Sequence, residues 1–192
     1  GSLTVAPDGR AVCDAGHSYD RSREGYYNLL LSNVGGVHGD NREMMTARRA
    51  FLDTGAYKPL ADKLSELVLL DFPKGGYLLD IGCGEGYYTS RIAKNAELVI
   101  GFDISKFAVE AAAKRAKREN AQNSVFCVAS IFTMPVFDES CDAVVNIFAP
   151  CVEEEYCRAL KKGGIILVAH AGREHLMGLK QILYASAYEN DT

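Results

Sequence analysis

The sequence predicts an open α/β fold built on a parallel sheet, and three observations carry that prediction. The first is the run Leu78-Leu79-Asp80-Ile81-Gly82-Cys83-Gly84-Glu85-Gly86-Tyr87-Tyr88. An apolar stretch ends in a carboxylate, meets glycines at alternate positions and passes into a new apolar pattern, which reads as a buried strand, a tight turn and a helix. The second is Ile100-Gly101-Phe102-Asp103, another strand ending in an acid, with Asp103 lying 23 residues after Asp80. The third is the alternation that follows. Apolar runs at 124–129, 141–147 and 165–170 follow, with a helical pattern at 106–119 before the first and another at 153–160 before the last, as expected of parallel strands joined by right-handed crossovers.

Taken in order, residues 3–40 lack long apolar periodicity and are rich in Gly, Asp, Asn and Ser. Within them Cys13 and His17 stand four apart, a spacing suited to two ligands of one zinc, although a structural zinc wants four. An unpaired cysteine and an exposed histidine are the plainer alternative. Tyr19, Tyr26, Tyr27 and residues 29–31 suit a small β-like appendage, and residues 33–40 a glycine-containing loop or linker. Asp40 or Asn41 can cap a helix running through Met44, Met45, Phe51 and Leu52 and stopped at Gly55. Arg42, Arg48, Arg49 and Lys58 make this segment basic, as either a solvated face or an RNA contact. Tyr57-Lys58-Pro59-Leu60 opens a second helix with Leu60, Leu64, Leu67 and Val68 on one side, broken at 72–76.

The core then runs as strand 77–81, helix 87–95, strand 98–102 and a helix 106–119 capped by Ser105. That helix is expected to bury Phe107, Val109 and its alanines and to show Lys114, Arg115, Lys117 and Arg118 to solvent. Strand 124–129 leads to Ser130, and strand 141–147 to the turn 148–151. A short helix at 153–160, a turn at Lys161-Lys162-Gly163-Gly164, a strand at 165–170 and a helix at 174–188 complete the pattern. This divides the chain into an appendage and linker over 1–40 and a larger domain over 41–192, with a helical lead-in at 41–72 and the α/β core at 77–170.

Composition bounds the function. A chain of 192 residues, 48% hydrophobic, buries one good core. Its net charge of −4 argues against coating nucleic acid through bulk charge but leaves room for a local basic face. No apolar run approaches the ~18 residues of a bilayer span, and no secretory signal is visible. The six cysteines follow no disulfide framework, which fits reduced thiols in a cytoplasmic protein.

The glycine loop is the most informative chemistry. Gly82, Gly84 and Gly86 leave no side chains across the carboxyl end of the strand. Their spacing is G-x-G-x-G, not the G-x-G-x-x-G of dinucleotide sites. An adenosine compound without a pyrophosphate fits better, and Asp103 is placed to accept both ribose hydroxyls. Together the motifs read as S-adenosylmethionine binding by Asp80, Gly82, Gly84, Gly86 and Asp103, with Ser130 near the adenine. A ligand-free structural turn is the alternative.

With these residues placed, the chain resembles the bacterial 23S rRNA guanine-N1 methyltransferases, a family that includes macrolide-resistance determinants. The resemblance rests on E-G-Y-Y-N-L-L (24–30), E-M-M-T-A-R-R-A-F-L-D-T-G-A-Y-K-P-L (43–60), L-D-I-G-C-G-E-G-Y-Y-T (79–89), F-C-V-A-S (126–130), A-P-C (149–151) and R-E-H-L-M-G-L-K (173–180). It implies a Rossmann-like class I S-adenosylmethionine-dependent methyltransferase with a small zinc-ribbon-like N-terminal module for RNA recognition. Cys13 and His17 match half of that module's ligand set; the preceding C-x-x-C is absent, so zinc is expected of the complete protein. The family also continues past Thr192. By motif, Tyr57, Gly84, Glu85 and His175 are expected around the cofactor. Asn146, Phe148 and Pro150, at the end of the fourth strand, are candidates for the target-base pocket. The implied partner is 23S rRNA, not a membrane. A methyltransferase on a small molecule or protein, or a non-catalytic cofactor- or RNA-binding module, shares the fold and remains an alternative.

Overall fold

The computed structural model of the chain describes residues 2–30, 39–72 and 75–190. The loop expected at 33–40 falls mostly outside them. Three short strands, β1 (Leu3–Val5), β2 (Ala11–Cys13) and β3 (Ser18–Tyr19), form an antiparallel sheet of their own. The next strand, β4 (Tyr27–Asn28), leaves that sheet and pairs in parallel with the edge of the main one, Tyr27 opposite Cys127.

The lead-in helices follow. α1 (Arg42–Asp53) is capped by Asn41, whose side chain accepts a hydrogen bond from the Met44 N–H, and Gly55 follows it at φ +84°. α2 (Lys58–Asp71) carries Pro59 in its first turn, where no N–H is needed, and buries Ala61, Leu64 and Val68.

The main sheet contains β5 (Tyr77–Ile81), β6 (Leu98–Asp103), β7 (Ser124–Val128), β8 (Cys141–Ile147) and β9 (Leu160–Ala169). Its order is β4-β7-β6-β5-β8-β9, every pair parallel. Strand order reverses at β5, which lies between β6 and β8, so a crevice opens at its carboxyl end. Alternation along β5 sends Leu78 to one face and Leu79 and Ile81 to the other. The first face packs on α2, α3 (Thr89–Ile92) and α4 (Lys106–Arg118) through Leu64, Val68, Ile92, Val109 and Ala112. The second packs on α5 (Glu153–Ala159) and the N-terminal strands through Tyr156, Ala159, Ala11 and Tyr27.

Several expectations need correction. The helix expected at 87–95 shrinks to α3 and a 3-10 turn at Ala93–Asn95, because the glycine turn runs on to Tyr88. Lys161 to Gly164 is no turn between elements but part of β9, accommodated by a register shift opposite Cys141 and Ala143 with Gly163 at φ +82°. The last helix, α6 (Met177–Leu183), starts late because Leu176 is left-handed at φ +58° and the 172–175 segment forms a turn. On α4, Phe107 is exposed beneath the Arg42 guanidinium, 5.0 Å from its ring centre. Arg115 is 4% exposed, not solvated. It lies one helical turn from Ala111 and Ala112 on the buried stripe, so periodicity places it inside even though its type does not.

Candidate functional site

The loop after β5 is shaped by close approaches. Gly82 sits at φ +71°, and a Cβ there would lie 2.4 Å from that of Ala149, which follows β8. Gly84, at φ +54°, has the opposite surroundings: a Cβ would meet nothing within 4 Å. The first glycine lets two strand ends meet, whereas the second leaves bare backbone facing open space.

That space is a cavity of about 420 Å³. Its floor is Gly82, Cys83, Gly84 and Glu85, and its walls come from distant segments. Arg48, Phe51 and Leu52 come from α1, Tyr57 from the α1–α2 turn, Ile147 and Phe148 from the end of β8, and His175 and Leu176 from the turn before α6. Tyr57, Phe148 and His175 form an aromatic cluster at one side. The Tyr57 hydroxyl lies 3.1 Å from His175 Nε2, and the Phe148 ring centre is 5.9 Å from that of Tyr57 and 5.6 Å from that of His175.

Of the other sequence-predicted residues, Asp103 ends β6 beside the loop, with Oδ2 accepting the Gly84 N–H at 2.9 Å and Oδ1 the Ser105 N–H at 2.8 Å. Burial raises its pKa, and these two amides work against the rise. Asp80, Gly86, Asp103, Ser130, Asn146 and Pro150 lie outside the cavity lining. Asp80 is 2% exposed beneath the loop, where it accepts a hydrogen bond from the Thr89 hydroxyl; burial lifts its pKa to about 6. Ser130 Oγ accepts the Phe132 N–H. Asn146, expected in a base pocket, is fully buried: its amide donates to the Pro150 carbonyl (2.9 Å) and to Tyr156 (2.5 Å), and its oxygen accepts from Ala149 N–H (3.1 Å). It shapes the 146–150 turn, in which Phe148 and Pro150 are the exposed residues.

Glu85 turns its side chain away from the cleft. It is 2% exposed and held by two guanidiniums, Arg115 Nη2 on Oε1 at 2.6 Å and Arg49 Nε on Oε2 at 3.0 Å. Arg115 also binds Asp53 (2.9 Å) and Glu119 (3.0 Å). Burial opposes its charge, but these carboxylates outweigh burial and raise its pKa. Sequence reasoning missed this network. Its signal was a cation on the apolar stripe of α4 together with an acid inside a glycine loop.

The cations of the 42–58 segment are engaged locally. Arg48 pairs with Asp40, Arg49 with Glu85 and Lys58 with Asp62, while Arg42 covers Phe107. At the N-terminus, Cys13 Sγ and His17 Nδ1 are 3.3 Å apart, in a recess against Pro135, Val136 and Phe137. No group of three or more potential metal ligands forms among the described residues, so this pair alone does not make a four-coordinate zinc site.

Comparison with known proteins bears on the family and the fold. The methyltransferase-domain family matches residues 73–191. A 23S rRNA (guanine(748)-N(1))-methyltransferase of Streptomyces fradiae is 34% identical over 89% of this chain and 61% of its own length. A candidate 23S rRNA (guanine-N(1)-)-methyltransferase of Bacillus subtilis is 31% identical over 97% of this chain and 67% of its own. The chain thus spans 61 to 67% of the length of these relatives. Among solved structures, a SAM-dependent methyltransferase from Aquifex aeolicus superposes with a TM-score of 0.58 at 19% identity, covering 71% of this chain and 76% of that one.

Gly82→Ala forces a side chain into Ala149 and is expected to lower unfolding free energy by several kcal/mol in urea titrations. Gly84→Ala costs only the backbone strain of about 1–2 kcal/mol, yet calorimetry should find affinity for S-adenosylhomocysteine reduced at least tenfold. Stability should also depend on pH through Asp80. Folding raises the Asp80 pKa from 3.8 to about 6, so its protonated form favours the folded state. That contribution, on the order of 3 kcal/mol, is complete below about pH 4 and lost as pH rises through 6. Asp80→Asn should therefore gain stability relative to the parent across this window, measured as the difference between their pH–stability curves.

Proposed function

The chain belongs to the bacterial 23S rRNA (guanine-N1)-methyltransferase family, and from that membership we propose that it methylates N1 of one guanine in a hairpin loop of 23S rRNA. The observation that carries the proposal is the cavity itself, which joins a glycine floor, open at Gly84, to the Tyr57–Phe148–His175 cluster. Family and fold make S-adenosylmethionine the methyl donor, and the bare cradle at Gly84 fits it. Bound there, it supplies a methyl group on a sulfonium, so the protein's task is alignment and exclusion of water.

The chain's residues divide that task. The backbone of Gly82 to Glu85 carries the donor, with Tyr57 and His175 beside it. Asp103 uses one lone pair of Oδ2 on the Gly84 N–H of the loop and one of Oδ1 on the Ser105 N–H, and keeps others for ribose hydroxyls. Phe148, 43% exposed at the end of β8, offers a ring face on which a base can stack. A guanine paired in a duplex hides its N1 edge, so the target must be unpaired or flipped. Residues 1–40 would serve RNA recognition. Cys13 and His17 would contribute two of the four ligands of a zinc in the complete protein, and no step here depends on that metal. Among the described residues no helix is long and apolar enough to cross a membrane; with 23S rRNA as the substrate, the proposed site of action is the cytoplasm.

The test is methyl transfer from labelled S-adenosylmethionine to unmodified 23S rRNA by the full natural chain, with the modified base mapped. N1-methylguanine at one hairpin-loop position is the expected product. Unlabelled RNA, in the presence of cofactor binding, would redirect the search to small-molecule or protein substrates.

A further inference from the structure

Methylation at guanine N1 leaves one requirement unassigned. N1 carries a proton at neutral pH, and that proton must leave as the new bond forms. The cavity offers few acceptors. Glu85 is buried with each oxygen bound to a guanidinium, and Arg48 is a cation. Asp80 lies under the loop, and Asp103 has its oxygens on backbone amides outside the lining. Tyr87 is 3% exposed beneath Arg91, whose guanidinium stands 4.0 Å from the ring centre, and burial raises the pKa of Tyr88.

His175 is different. The lone pair of a neutral imidazole nitrogen can accept a proton, and the His175 Nε2 lies 3.1 Å from the Tyr57 hydroxyl. The Phe148 ring, tilted 31° from the imidazole, packs beside both. Strain is concentrated at the same place. Among the described residues four non-glycine positions have positive φ, and two of them, Phe148 and Leu176, line this cavity. Each costs on the order of 1–2 kcal/mol, and such strain collects where function fixes a side chain. The backbone around His175 is also held: its N–H donates to the Gly172 carbonyl at 2.9 Å, and the Asn190 amide donates to its carbonyl at 3.3 Å.

We propose that Tyr57 and His175 form the proton acceptor for guanine N1, a step that rests on the methyltransferase reading above. In this arrangement the Tyr57 hydroxyl donates to Nε2 and presents its oxygen to N1. The N1 electron pair forms the N–CH3 bond as the C–S bond breaks and its pair returns to sulfur. The N1 proton passes to Tyr57 Oη while the Tyr57 proton passes to Nε2. A sulfonium charge is lost and an imidazolium charge appears, which then loses its proton to water.

The experiment compares the full natural chain with His175→Gln and Tyr57→Phe, measuring S-adenosylhomocysteine affinity by calorimetry and single-turnover rates of N1-methylguanine formation from pH 5.5 to 9. Glutamine can still hydrogen-bond to Tyr57 but cannot take up a proton. Because both residues also stand beside the cofactor, each variant is expected to weaken product-cofactor affinity somewhat, but the rate at saturating cofactor should fall far more than affinity does. Both should lose 10²–10⁴ in rate. In the wild type the rate should fall as pH drops and the imidazole becomes charged; His175→Gln should lack that limb. The other titratable or charged residues that line the cavity are Arg48, Tyr57, Tyr87, Tyr88 and Glu85, the last with its carboxylate held by Arg49 and Arg115, and the neighbouring chain end carries Glu174 and the Arg173–Glu189 ion pair. None is altered in His175→Gln. Loss of cofactor affinity in proportion to rate, or an unchanged pH–rate profile, would overturn the proposal. Absence of N1-methylguanine with the wild type would overturn the methyltransferase reading and this step with it.

Discussion

The ion pair between Glu85 and Arg115 lies where the glycine loop, α1 and α4 meet. Placing a carboxylate inside such a loop has a physical consequence: its charge must be desolvated, at several kcal/mol, unless a cation with good geometry meets it. Arg115 does so from α4, Arg49 from α1, and Asp53 and Glu119 balance the guanidinium. A pair of this kind adds little net stability compared with apolar packing, but losing one partner costs about 3–5 kcal/mol. What it adds is direction. With its side chain anchored inward, Glu85 leaves the backbone of Gly84 and Glu85 as the surface that faces the cleft.

The rest of the site can be understood from that anchor. The network ties α1 to the loop, and α1 carries Arg48, Phe51 and Leu52 into the cavity wall, with Tyr57 just beyond its end. Across the cavity, β8 and the turn before α6 bring Phe148 and His175, both beside or at left-handed positions. Asn146 and Asn190, spending their amides on neighbouring carbonyls, hold those two segments. The floor is thus fixed by charge and the wall by hydrogen bonds, while open volume remains between them.

Much of this was legible in the sequence where the signal is local. The strand at 141–147 and the caps at Asn41 and Ser105 appear as expected, since periodicity and capping act within a few residues. The glycine loop, with Asp103 beside it, is likewise where the motif spacing put it. Long-range pairing was harder to read. Arg115 looked solvated because its reason to be buried is Glu85, thirty positions earlier in the chain. Asn146 looked like a pocket residue because nothing local shows that Tyr156 and Pro150 claim its amide. The Tyr57–His175 contact joins residues 118 apart and followed from resemblance, not from composition or period.

The central claim, that the Glu85–Arg115 pair holds the loop for the cofactor, is tested most directly by a double-mutant cycle in S-adenosylhomocysteine affinity. Wild type, Glu85→Gln, Arg115→Met and the double variant would be titrated by calorimetry, with folding checked by circular dichroism. The account predicts at least tenfold weaker binding in each single variant and a coupling of about 1 kcal/mol or more, the second change costing less once the first is made. Single variants that fold and bind as tightly as wild type, or losses that simply add, would contradict it.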